Sequence, residues 1–134
     1  MSDYLNICQI QKNDRCMLYK GKKKALANCD ALKSVSFGNS VTTIGAEAVS
    51  HCKNLNSITV GKNVKNIGIK VFAKNKKCKV IKIKLKKLTK SSVANGAFSG
   101  ISNDTVVKVP ASKFKAYKKL LRKKGLEFNA FKKT

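Results

Sequence analysis

The chain has 134 residues, 43% of them hydrophobic, with one proline and no tryptophan; that suffices for one domain with its own core and argues against disorder by composition. Thirty lysines and arginines face six acids, giving a formal net charge of +24, which favours anionic partners and speeds their encounter without dictating a fold. One histidine and six scattered acids do not readily assemble a general acid–base pair, and no apolar run approaches the roughly 20 residues that span a bilayer.

Residues 1–17 read as a degenerate edge or partial repeat. Leu5, Ile7 and Ile10 are candidates for one edge strand, and Met1 to Lys12 lacks the basic start and continuous apolar stretch of a secretory signal, so the cytoplasm stays open as a compartment. Leu18 stands 23 positions before Val41, and Lys20 to Lys24 read as a basic turn. Ala25-Leu26-Ala-Asn-Cys29 then matches Ala48-Val49-Ser-His-Cys52. From Cys29 a unit becomes plain: Leu32, Val35, Phe37, Gly38, Val41, Ile44, Gly45, Ala48 and Val49 recur 23 positions later as Leu55, Ile58, Val60, Gly61, Val64, Ile67, Gly68, Val71 and Phe72. A fixed period in the twenties marks a solenoid, whose coils bury their apolar faces only against each other.

Within a coil, Val35 and Phe37, then Ile58 and Val60, alternate with hydroxyls and predict short strands pointing inward. Val41-x-x-Ile44-Gly45 and Val64-x-x-Ile67-Gly68 return the chain, and a short helical turn or irregular coil is expected around Ala48-Val49 and Val71-Phe72. The next coil is expected to begin at Cys78, after three extra residues within Ala73 to Lys77. Ile81, Ile83 and Leu85 predict a third strand with Lys82, Lys84 and Lys86 outside. Val93 to Phe98 matches Ile67 to Phe72, and Thr105 to Val109 is the last expected strand of a solenoid over 18–109. Pro110 has no amide to donate and is expected to stop the ladder. Ser112 is a candidate N-cap for a helix whose apolar face is Phe114, Tyr117, Leu120 and Leu121. Cations gather at its C-terminal end and Gly125 is the expected C-cap. Residues 110–134 read as a capping helix and tail, which a repeat array needs for solubility.

These residues resemble the BspA-like leucine-rich repeats, whose unit runs roughly C-x-x-L-x-x-I-x-[IV]-x-x-x-V-x-x-I-G-x-x-A-F. The resemblance covers about Leu18 to Val109 and is strongest in the coils that start at Cys29 and Cys52. It implies an α/β repeat solenoid: a short right-handed superhelix of stacked strands, with the strands on its inner face. It also implies a secreted or surface-attached protein used in adhesion, and this chain reads as a C-terminal portion of such a protein.

Cys29, Cys52 and Cys78 are expected in one slot of successive coils as buried free thiols. Parallel stacked side chains fit disulfide geometry poorly, and without a C-x-x-C pair no metal is expected. His51 beside Cys52 suggests a nucleophile pair, yet adjacent residues in a turn face different ways and no orienting carboxylate is at hand. No cofactor and no enzymatic activity are expected.

The outward strand positions are the candidate binding residues: Ser34, Ser36, Ser57, Thr59, Lys82, Lys84 and Lys108. The expected partner is a protein or an anionic polysaccharide or cell-wall polymer. Nucleic acid is the alternative by charge, although Phe72 and Phe98, the only aromatics between Glu47 and Asp104, fall in core slots rather than among the lysines.

Overall fold

The computed structural model describes residues 15–18, 32–37, 41–127 and 129–134. Six short strands form one parallel sheet in the order β1 (Arg15–Leu18), β2 (Ser34–Phe37), β4 (Ser57–Val60), β6 (Val80–Ile83), β7 (Val106–Val109) and β8 (Ala130–Lys133). Between them β3 (Thr43–Ile44) and β5 (Asn66–Ile67) make a second, two-stranded parallel sheet. A 3₁₀ turn (Ala111–Lys113) leads into the helix α1 (Phe114–Arg122). Each strand is too short to stand alone, so the fold is held by what one coil places against the next.

The expected inward ladder is present. Val35, Phe37, Ile58, Val60, Ile81 and Ile83 are all buried, and the register pairs Val35 with Ile58, Ile58 with Ile81 and Ile81 with Val107. Leu32, Leu55, Val41, Ile44, Val64 and Ile67 close the core from the other sides. Phe72 sits at its centre, edge-on to Phe37 at 6.0 Å and stacked on Phe98 at 5.1 Å, geometries that add to simple burial. Opposite the sheet, among the described residues, the coils turn without a helix until α1. There Glu47, Val49 and His51 donate their amides to the carbonyls of Ile69, Val71 and Ala73 in the next coil.

That turn needs two left-handed residues per coil. Glu47 and His51 (φ 57° each), then Lys70 and Lys74 (φ 54° and 60°), adopt a conformation that costs L-residues energy. The following coil places Gly96 and Gly100 (φ 74° and 78°) in the same slots.

The structure corrects four expectations. First, Cys78 does not share the slot of Cys52. The pairing of Ile58 with Ile81 keeps the 23-residue spacing, so Cys78 stands where Leu55 stood and Asn75 takes the cysteine slot. The three extra residues fall later, between Ile83 and Val93, since Val93 bridges to Ile67 at a spacing of 26. Second, Leu18 pairs with Phe37 and so does not share the slot of Val41, and among the described residues the sheet already includes Arg15 to Met17. Third, Pro110 ends β7 but not the sheet: β8 follows α1 and pairs with β7 from Ala130 to Lys133, so the missing proline amide lies beyond the ladder that needs donors. The sheet therefore ends in a strand, and α1 serves as the crossover that leads to it.

Fourth, Ser112 makes no capping hydrogen bond and lies within the 3₁₀ turn, where the chain tightens before α1 begins. At the other end Gly125 has φ 120°, and the Leu126 amide reaches back to the Leu121 carbonyl at 3.3 Å, a Schellman-type closure. A Cβ at Gly125 would also meet the Phe98 carbonyl carbon at 2.8 Å, so the glycine lets the helix end press against the coil before it. The candidate edge strand at Leu5, Ile7 and Ile10, the turn at Lys20 to Lys24, and Cys8, Cys29 and Gly38 lie outside the described residues.

Candidate binding face on the parallel sheet

With Val35, Phe37, Ile58, Val60, Ile81 and Ile83 turned inward, alternation directs the residues between them to solvent. Register then decides which of these meet. Ser36 pairs with Thr59, Thr59 with Lys82, and Lys82 with Lys108. The row continues one strand beyond the expected residues, because Lys108 pairs with Lys132. Ser34 and Ser57 lie side by side in a second row that becomes aliphatic at Val80 and Val106. Lys84 lies past the end of β6; its amide donates to the Val60 carbonyl at 3.0 Å and its side chain is exposed beside the sheet, outside the row. Of the seven candidates, four therefore form one continuous line, two form a shorter one and one stands apart.

Lys132 was missed because β8 was missed. The available signal was the spacing of 24 between Thr105-Val106-Val107-Lys108 and Asn129-Ala130-Phe131-Lys132, hidden by the helix and glycine that separate the two segments. Asn129 is buried, and its side-chain amide donates to the carbonyls of Ser102 and Thr105 at 2.9 and 2.8 Å, which anchors the start of β8 on the preceding coil.

The electrostatics of the row are one-sided. Among the described residues no carboxylate pairs with Lys82, Lys84, Lys108 or Lys132. Like charges directly opposite on neighbouring strands oppose folding, and strands about 4.8 Å apart bring three ammonium stems into one such line. At the other end the row is neutral and half-buried at Ser36 and Thr59.

Among the described residues, Cys52, Cys78 and His51 form no site. Cys52 is fully buried and its thiol donates to the Ser50 carbonyl at 3.7 Å, while His51 is exposed on a left-handed turn, so the two side chains face apart. Cys78 is buried and burial pushes its thiol up to about 12, the opposite of an activated nucleophile. Among the described residues no group of three His, Cys, Asp or Glu side chains could hold a metal ion, and no helix is long and apolar enough to cross a membrane.

Comparison with known proteins agrees with the repeat. The sequence profile described as BspA type leucine rich repeat region (6 copies) matches residues 19–132. Among solved structures, the chain is similar to the pneumococcal vaccine antigen PcpA, with a TM-score of 0.63 at 18% identity over 86% of this chain. This chain spans 27% of that one, and at such identity the likeness shows the fold alone. No curated protein sequence matches. The chain belongs to the BspA-type leucine-rich repeat family, whose members are typically non-enzymatic.

Proposed function

We propose that the chain is a non-enzymatic binding module of a bacterial surface or secreted protein, and that it engages an extended anionic ligand with the solvent side of its parallel sheet. The observation that carries this reading is the register-matched line Ser36, Thr59, Lys82, Lys108 and Lys132. Its size favours a narrow ligand. Six strands at about 4.8 Å and four residues at about 3.3 Å give a face of roughly 300 Å² in plan, well short of the roughly 800 Å² per partner of a standard protein interface. An acidic segment of a protein, or a cell-wall polymer lying across the strands, fits where a globular surface does not. The family and the fold shared with a vaccine antigen support the compartment, and a right-handed superhelix is the hand that parallel crossovers take.

Nucleic acid is the weaker alternative. Phe72 and Phe98 are buried and stack on each other, so no ring from that stretch is offered to a base. The test is to replace Lys82, Lys108 and Lys132 together with Ser and to follow binding to polyglutamate, teichoic acid and duplex DNA as salt is raised. The reading predicts weaker binding and a flatter salt dependence for the variant, with the acidic polymers preferred over DNA at matched charge. An unchanged slope would place the contact elsewhere.

A further inference from the structure

A second basic cluster lies away from the sheet's solvent row, where α1 meets the extended turn of the third coil. The cleft there has a volume of about 470 Å³ and is lined by Lys90, Lys119, Lys123 and Lys124 around Ala116 and Leu120. That volume lies within the range of small-molecule sites.

Its parts are positioned rather than scattered. Lys90 is carried by the segment that holds the three extra residues of this coil. The turn beneath it is closed by the Thr89 amide donating to Ser92 Oγ at 3.1 Å, by the Ser92 amide donating to the Thr89 carbonyl at 3.0 Å, and by the two hydroxyls 2.9 Å apart. Lys124 Nζ donates to Asn95 Oδ1 at 2.9 Å, which ties the end of the helix to the next turn of the same coil. Lys119 and Lys123 are one helical turn apart, a like-charge spacing that weakens a helix. Among the described residues none of these four lysines pairs with a carboxylate.

We propose that this cleft binds an organic phosphate, with the phosphoryl group among the lysines and its carbon portion against Ala116 and Leu120. Up to four ammonium groups around one cleft match a doubly charged phosphate better than a carboxylate, and lysine serves phosphate as a point charge. The apolar floor selects an ester over the inorganic ion. The proposal is independent of the sheet-face reading, since none of the row residues lines the cleft.

Phenyl phosphate, titrated into the intact chain by calorimetry, is expected to bind saturably at one site and more tightly than inorganic phosphate. Lys119→Ser combined with Lys123→Ser is expected to weaken it by about tenfold or more. Lys62→Ser with Lys65→Ser, an equal charge loss on exposed positions of the second coil, is expected to leave it nearly unchanged. Vesicles of phosphatidylcholine with and without phosphatidic acid separate the sources: binding of phenyl phosphate assigns a soluble ester, and binding confined to phosphatidic acid vesicles and lost in the helix variant assigns a lipid headgroup. Equal losses in the two variants, or no saturable binding to either probe, would overturn the proposal.

Discussion

Asn75 stands one coil above Cys52, and its side-chain Oδ1 accepts the Cys52 amide at 2.8 Å. The same side chain donates through Nδ2 to the carbonyls of Val49 and Phe72, at 2.8 and 3.1 Å, and is fully buried. One asparagine thus satisfies three backbone groups at the corner where the second coil passes into the third. Removing it with Asn75→Ala is expected to lower stability by about 3 kcal/mol or more, because it orphans three buried groups and each costs roughly 1–3. Asn75→Asp should not rescue it, since a carboxylate cannot donate to the two carbonyls. Denaturant midpoints compared with exposed Lys76→Ala check this.

Much of this architecture is legible before any coordinates. The period, the strands and the inward residues follow from apolar slots that recur at a constant spacing, and a buried slot tolerates little else. The cysteine slot was misread because Cys78 was aligned by residue type, whereas the coils are aligned by strand register; Asn75 fills the slot with hydrogen bonds instead of a thiol. The strand at Ala130–Lys133 escaped notice because only Phe131 of its four residues is even half-buried. An edge strand with few inward side chains carries almost no alternation. The small sheet of β3 and β5 is two residues deep, too short for a period to show.

The core ladder predicts a large cost at its centre. Ile58 is fully buried and paired on both sides, with Val35 and Ile81. Ile58→Ala is expected to cost about 2–5 kcal/mol through lost burial and the cavity left behind, measured by chemical denaturation.

The second left-handed slot, Lys74 in one coil and Gly100 in the next, predicts changes of opposite sign. Lys74→Gly is expected to stabilise the fold by about 0.5–1 kcal/mol, as relief of a left-handed lysine outweighs the entropy of glycine in the unfolded chain. Gly100→Ala is expected to destabilise by about 1–2 kcal/mol, because φ is 78° there and a Cβ would meet Lys74 Cγ at 3.0 Å. Thermal melting of both variants decides the pair.

Burial of Cys78 predicts a stability loss at high pH. Its thiol rises from 9.0 to about 12 on folding, so the folded state holds a proton that the unfolded state releases first. Its contribution is intact below pH 9 and is lost as pH climbs from there toward 12. A thiol reagent at neutral pH should label Cys52 and Cys78 only after denaturation, and rapid labelling of either in the native protein would mean that the slot is open.

α1 is tied to the third coil by one buried bond, in which the Tyr117 hydroxyl donates to the Leu85 carbonyl at 3.0 Å. Tyr117→Phe is expected to cost about 1–2 kcal/mol, since the carbonyl is left without that partner. Hydrogen exchange should show the loss concentrated in α1 and β8, which pack on one another.

The central claim is that an extended anionic ligand lies along the register-matched row of the sheet. The most direct measurement is an amide and lysine-ammonium NMR footprint of the intact protein titrated with short polyglutamate. The account predicts that shifts gather at Ser36, Thr59, Lys82, Lys108 and Lys132 and fade toward Lys62 and Lys65. Shifts confined to Lys118, Lys119, Arg122 and Lys123, or spread evenly over every lysine, would contradict it.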